Sequence, residues 1–154
     1  MIPLEICFQK MILMNDLLIV GGFGSIGIKI IKNLKNDFSI HVIDKKLNKN
    51  YDFCNYEICN LSGGKLNDGK FPDQLTTVYL TGNLTNSLTS DDALNSINDN
   101  ISSLTNFIIS FSKKIKHMIF VSSVSVYGLP KYNPIDEQHP IDPSSFYGSQ
   151  KACA

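Results

Sequence analysis

An α/β fold built on a doubly wound parallel sheet is what this chain predicts, on three observations. Apolar runs alternate with helix-patterned segments, the order that places crossover helices between parallel strands. The first apolar run, Leu17-Leu18-Ile19-Val20, breaks into glycines at Gly21, Gly22, Gly24 and Gly27, and a helical pattern follows at once. A second run, Ser39-Ile40-His41-Val42-Ile43, ends on an acid, Asp44.

In chain order, strands are expected near 16–20, 39–43, 55–58, 76–81 and 117–122, and helices near 25–36, 91–115 and from 145 onward. Ile28, Ile30, Ile31 and Leu34 give the first helix its apolar stripe. The stretch 62–70 holds Gly63, Gly64 and Gly69 and reads as a loop. Leu94, Ile97, Ile101, Leu104, Ile108 and Phe111 recur at spacings of three and four, the stripe of a long helix. Asp91 and Asp92 suit that helix's positive end, and Lys113 and Lys114 its negative end. Asn100 sits inside it, beside the stripe.

The glycine cluster has the context of a dinucleotide-binding loop: strand, glycines, helix, strand, acid. Gly21 would make the tight turn, Gly24 would let the backbone approach a pyrophosphate, and Gly27 would let the helix pack close. The helix start at Ser25 and Ile26 offers free N–H groups and a positive dipole end to phosphates. Asp44 lies 23 positions after Gly21, close to the ~20 expected of an acid that binds an adenosine ribose. Lys45 and Lys46 follow it and could admit a 2′-phosphate, but Asp44 repels one, which favours NAD over NADP.

Tyr147 and Lys151 stand four residues apart, on one face of a helix. An ammonium beside a phenol favours the phenolate, the form a general base near neutral pH requires. Upstream, Met118-Ile119-Phe120-Val121 opens into Ser122-Ser123-Val124-Ser125-Val126-Tyr127-Gly128. Ligands of open parallel sheets sit beyond the carboxyl ends of strands, so Ser123 is a candidate to hydrogen-bond a substrate oxygen. His139, in the loop before Tyr147, could approach a substrate, but a structural role is its favoured reading.

Together these segments resemble the N-terminal part of an extended short-chain dehydrogenase/reductase, the NAD-dependent epimerase/dehydratase family. The likeness runs from about Asn15 to Ala154. It rests on Gly21-x-x-Gly24-x-x-Gly27, on Val121 to Gly128, on Tyr147-Gly148-Ser149-Gln150-Lys151, and on the loop from Asp136 to Phe146. The resemblance implies a Rossmann-type sheet with NAD as cofactor and a small-molecule substrate, a nucleotide-sugar. It implies Tyr147 as the base, Lys151 as its helper and ribose ligand, and Ser123 as the group that polarises the reacting oxygen. Asn100 matches the asparagine of the family's central helix. Leu80-Thr81-Gly82 matches the strand end that lines the cofactor, where the family more often has Leu-Ala-Ala. Asn60-Leu61 falls where the family places Asp-Leu near the adenine, and an amide can still bond the adenine amine.

In this family, hydride passes between a sugar carbon and NAD while the tyrosine takes the hydroxyl proton. Sugar-nucleotide 4,6-dehydratases typically carry Thr-Asp-Glu where this chain has Ser123-Val124-Ser125, which speaks against dehydration. The Ser-x-Ser arrangement is most similar to 4-epimerases. A ketosugar- or steroid-type reductase of the same family stays open, as does a non-catalytic NAD-binding module or an inert truncated product. Family members are much longer, so the expectation is an incomplete NAD-binding domain over 14–154, truncated after the active-site helix begins, with the C-terminal substrate domain absent. Residues 1–13 are expected to be a leader or an over-called start, because Met11 and Met14 stand just before the first strand. The full-length form is expected to be a homodimer.

Composition bounds the remaining classes. The 154 residues carry 14 basic and 14 acidic groups, so nothing points to nucleic acid or an anionic membrane surface. Every basic residue is lysine, and any phosphate clamp made of arginine must lie outside this sequence. Cys7, Cys54, Cys59 and Cys153 show neither metal-ligand spacing nor paired histidines, so no metal is expected, and reduced cytoplasmic thiols fit best.

Overall fold

The computed structural model describes residues 15–51, 53–63, 66–82 and 89–154. The expected leader, residues 1–13, lies outside the described residues, as does Gly64 of the expected loop. The strands are β1 (Asn15–Val20), β2 (Phe38–Asp44), β3 (Asn55–Ile58), β4 (Leu75–Tyr79) and β5 (Ile115–Phe120). The helices are α1 (Ser25–Leu34), α2 (Ser90–Ile97), α3 (Ser103–Phe111) and α4 (Phe146–Cys153). One sheet holds the strands in the order β3-β2-β1-β4-β5, the Rossmann-type order in which the winding reverses beside β1. Parallel ladders join β1 to β2, β1 to β4 and β2 to β3. Their registers pair Val20 with Ile43 and with Tyr79, so the glycine turn leaves β1 at the reversal.

The chain divides into two compact units. The first runs to Cys59 and adds Asn67–Leu80 and Phe111–Ile119, and so holds all of the sheet but Phe120. Its core is aliphatic: Leu18, Ile19, Val20, Val42, Ile43 and Leu75 are fully buried, and α1 contributes Ile31. Such continuous apolar runs are what strands covered on both faces need. His41 is buried here, with Nε2 2.9 Å from Asp16 Oδ1 and its ring edge-on to Phe71. Phe71 also meets Phe111 edge to face at 5.2 Å.

The second unit comprises Asn60–Leu66, Thr81–Ser110 and Phe120–Ala154. The Thr89 hydroxyl caps α2 by accepting the Asp92 N–H at 3.3 Å. The Ser145 hydroxyl caps α4 by accepting the Gly148 N–H at 3.0 Å. Each cap is worth about 1 kcal/mol.

The expected helix over 91–115 is instead two helices joined by a wider, π-type turn over Asn98–Ser102. Its buried side keeps only part of the expected stripe. Leu104 and Phe111 are inside, but Leu94 is 59% and Ile108 43% exposed. Ser96, Asn100, Ser103 and Phe107 take the inner positions. A π-type turn accommodates an extra residue, and polar partners at Ser96 and Asn100 bury that face without aliphatic side chains. The helix also stops at Phe111 because Lys114 closes a turn. Its N–H donates to the Phe111 carbonyl, its carbonyl accepts the Leu75 N–H, and its ammonium reaches the Phe71 carbonyl and Asp73.

The last strand begins at Ile115 and ends at Phe120, two residues earlier at each end than expected. The Val121 carbonyl is turned out of the ladder to accept from Lys151. Among the described residues, no helix is long and apolar enough to cross a membrane.

Candidate active site

The glycine turn belongs to the first unit. Gly21 has φ +78°, a left-handed conformation that a side chain resists, and its N–H donates to the Ile43 carbonyl at 2.7 Å. A Cβ on Gly27 would fall 2.4 Å from the Gly22 carbonyl oxygen, so only glycine lets α1 seat on this turn. Gly24 is exposed and stands at the N-cap of α1, with no side-chain cap and no acid in the first turn at Ser25 and Ile26. The positive end of the helix is therefore open to an anion.

Asp44 ends β2 and is tied to the same turn: Oδ2 accepts the Phe23 N–H at 2.9 Å and Oδ1 the Lys46 N–H at 3.1 Å. Each carboxylate oxygen keeps a further acceptor site for a hydroxyl. Leu80 prolongs the β4 ladder, its N–H donating to the Val20 carbonyl at 2.9 Å.

The second unit holds the other candidates. Tyr147 and Lys151 lie on α4, and Lys151 is buried, with 4% of its surface exposed. Its Nζ donates to the Thr81 carbonyl at 3.0 Å and to the Val121 carbonyl at 3.2 Å. It also lies 4.8 Å from the centre of the Phe120 ring and 6.0 Å from that of Tyr147. Burial lowers its pKa from the ordinary lysine value, because desolvation disfavours the ammonium. An ammonium has three N–H donors, and partners among the described residues use two of them.

Gly82 lies against the side chains of both Tyr147 and Lys151. A Cβ there would stand 3.3 Å from the Lys151 Nζ and 3.5 Å from the Tyr147 hydroxyl. The turn Val124–Tyr127 follows Ser123, whose hydroxyl accepts the Ser125 N–H at 3.2 Å and donates to the Ser125 hydroxyl at 3.1 Å. Gly148 packs on the same turn, where a Cβ would fall 2.4 Å from the Ser125 carbonyl oxygen.

Asn100 is brought to α4. Its buried amide donates to the Gln150 side-chain oxygen, which also accepts from the Ser96 hydroxyl at 2.9 Å. Gln150 and Ser96 thus join the site's support, though neither stood out in the sequence. Only the position of Gln150 inside the Tyr147–Lys151 motif hinted at it. Asn60 folds its amide oxygen onto Ser62, accepting from the Ser62 N–H and hydroxyl. Leu61 is buried, and its carbonyl accepts from Asn106 at 2.9 Å. His139 is held within its own loop. It is buried between the rings of Tyr127 and Tyr132, its Nε2 accepts the Lys131 N–H, and its Nδ1 donates to the Pro140 carbonyl. Among the described residues, no group of His, Cys, Asp and Glu is arranged to hold a metal ion.

An open sheet with a glycine turn at its reversal, and a tyrosine–lysine pair on a later helix, defines a dinucleotide-dependent class of protein. Residues 17–154 match the model of the NAD dependent epimerase/dehydratase family, and the chain belongs to that family. A curated relative, the N-acetyl-alpha-D-glucosaminyl-diphospho-ditrans,octacis-undecaprenol 4-epimerase of Escherichia coli O157:H7, is 34% identical over 143 residues, covering 90% of this chain and 41% of that protein. Among solved structures, a UDP-N-acetylglucosamine 4-epimerase from Methanobrevibacter ruminantium M1, in complex with UDP-N-acetylmuramic acid, superposes with TM-score 0.76 at 26% identity, covering 91% of this chain and 48% of that one. A short-chain dehydrogenase/reductase superfamily protein from Agrobacterium tumefaciens with bound NAD gives TM-score 0.77 at 19% identity, covering 90% and 42%, and so speaks to the fold. The chain spans less than half the length of the curated relatives it matches.

Proposed function

We propose that the whole protein is an NAD-dependent nucleotide-sugar epimerase of the 4-epimerase kind. The observation that carries this reading is the convergence of the Tyr147 hydroxyl and the Lys151 ammonium on Gly82. That arrangement suits proton transfer from a hydroxyl held at the phenol. NAD, when bound, accepts a hydride from the sugar carbon and returns it.

The residues present fit the dinucleotide. Gly21, Gly24 and Gly27 leave a side-chain-free cradle, the start of α1 at Ser25 and Ile26 offers N–H groups to a pyrophosphate, and Asp44 takes a ribose diol. Asn60 and Leu61 would border the adenine, and Leu80, Thr81 and Gly82 the remainder of the cofactor. Lys151 uses its remaining donor on the nicotinamide ribose. The Ser123 hydroxyl swings from Ser125 to the substrate oxygen, a change of rotamer. Asn100 acts as a positioning residue, holding α4 through Gln150.

The UDP-N-acetylglucosamine 4-epimerase relative supports this substrate class, and the undecaprenol-diphosphate-linked relative supports reaction at C4 of a diphospho-linked sugar. Val124 and Ser125 supply no carboxylate for expelling water, which favours epimerisation over dehydration. The test is incubation of the protein with a panel of UDP-hexoses and NAD. A C4 epimer without net NADH is expected. Stoichiometric NADH change would mark a reductase or dehydrogenase, and absence of nicotinamide binding would mark a non-catalytic chain.

A further inference from the structure

Among the described residues, the buried ammonium of Lys151 has no counter-ion: no carboxylate forms an ion pair with it. The groups facing Nζ are the carbonyls of Thr81 and Val121, the ring of Phe120, and the Tyr147 ring on its own helix. A buried charge normally needs a partner. Here two carbonyl dipoles serve on one side, and the Phe120 ring, 4.8 Å away, lies within the roughly 6 Å over which a ring quadrupole attracts a cation.

The choice of partner has a chemical consequence. A carboxylate would cancel most of the ammonium's field. Dipoles and a quadrupole stabilise the cation yet leave its unit charge acting on the neighbouring phenol.

We propose that Phe120 is a positioning residue for Lys151, its ring face holding the ammonium charged and in place where a counter-ion would otherwise be needed. This role rests on the catalytic reading of Tyr147 and Lys151, but the contact is measurable without it. Phe120 is the last residue of β5, one residue before the carbonyl that Lys151 also uses. One strand end therefore supplies both a dipole and a π face. Burial already lowers the Lys151 pKa, so loss of the ring should lower it further.

The test compares Phe120→Leu and Phe120→Met, which keep apolar bulk without a ring, with Phe120→Tyr, which keeps the ring. Lysine-selective isotope labelling of the protein, with Lys151→Met to assign the signal, follows the ammonium titration by NMR. Thermal unfolding identifies the variants that fold, and either aliphatic variant that folds is read. The expected result is a downward shift of the Lys151 titration by about half to one and a half pH units in the aliphatic variants. Phe120→Tyr should keep the parent value. An unchanged titration with only a lower melting temperature would overturn the proposal and leave Phe120 a packing residue. The alkaline limb of turnover should move with the NMR titration. A titration that shifts while that limb stays put would keep the contact and remove Lys151 from the chemistry.

Discussion

Gly148→Ala tests the seating of the active-site helix. Gly148 lies between Tyr147 and Lys151 on α4. A Cβ there would stand 2.4 Å from the Ser125 carbonyl oxygen and 3.0 Å from the Ser145 hydroxyl, whereas ordinary contact begins at 3.4 Å. The carbonyl is backbone, so no rotamer change relieves the overlap, and α4 must retreat by about 1 Å to reach ordinary contact. Tyr147 and Lys151 travel with it, and the Lys151 bonds to Thr81 and Val121, at 3.0 and 3.2 Å, stretch beyond hydrogen-bonding range. Misplacement of about 1 Å costs on the order of 100-fold in rate, and overpacking costs about 1–3 kcal/mol of stability. Turnover on the active UDP-hexose and a urea midpoint measure the two effects. Gly63→Ala is the control, because a Cβ there meets nothing within 4 Å. Parent-like turnover and midpoint in Gly148→Ala would refute the close seating of α4 on the Ser125 carbonyl.

Three further outcomes are expected. Tyr147→Phe should abolish turnover while leaving NAD affinity, read by nicotinamide fluorescence, nearly intact; normal turnover would remove the assigned base. Asn100→Leu keeps bulk but removes the amide that donates to the Gln150 oxygen beside the Ser96 hydroxyl; a loss of about 1–3 kcal/mol in urea unfolding is expected, with reduced turnover. Burial pushes the Cys54 thiol from 9.0 up to about 11. Because its folded value is raised, the unfolded chain sheds this proton first, so the group's stabilising share is whole below 9.0 and is lost as pH rises toward 11. Urea midpoints of Cys54→Ala should therefore decline less than the parent's over that window, and thiol reagents should label exposed Cys153 before Cys54.

The strand–glycine–helix–strand–acid order was legible because each step has a local cause. Val20 precedes a turn that needs φ > 0, Gly27 admits a close helix, and Asp44 ends a buried strand. Tyr147 and Lys151 were legible because spacing alone puts them on one helix face. What the chain hid depends on tertiary partners. Leu94 and Ile108 have the spacing of a core stripe, yet Ser96 and Asn100 are inside because Gln150, some fifty residues away, satisfies them. No local propensity encodes that partnership, nor the π-type turn that accompanies it. The end of β5 is similarly non-local, since Val121 leaves the ladder for an ammonium 30 residues on. By position His139 could approach a substrate, although its favoured reading from sequence is structural. Its two ring nitrogens are spent on backbone groups, which only the folded loop reveals.

Isotope transfer tests the proposed epimerase chemistry, in which the nicotinamide carries the hydride, most directly. A UDP-hexose deuterated at C4 should yield its C4 epimer with the deuterium retained, because the abstracted hydride goes back to the same carbon from the bound nicotinamide. Loss of label to solvent, or a ketone accumulating with one equivalent of NADH, would contradict the epimerase account.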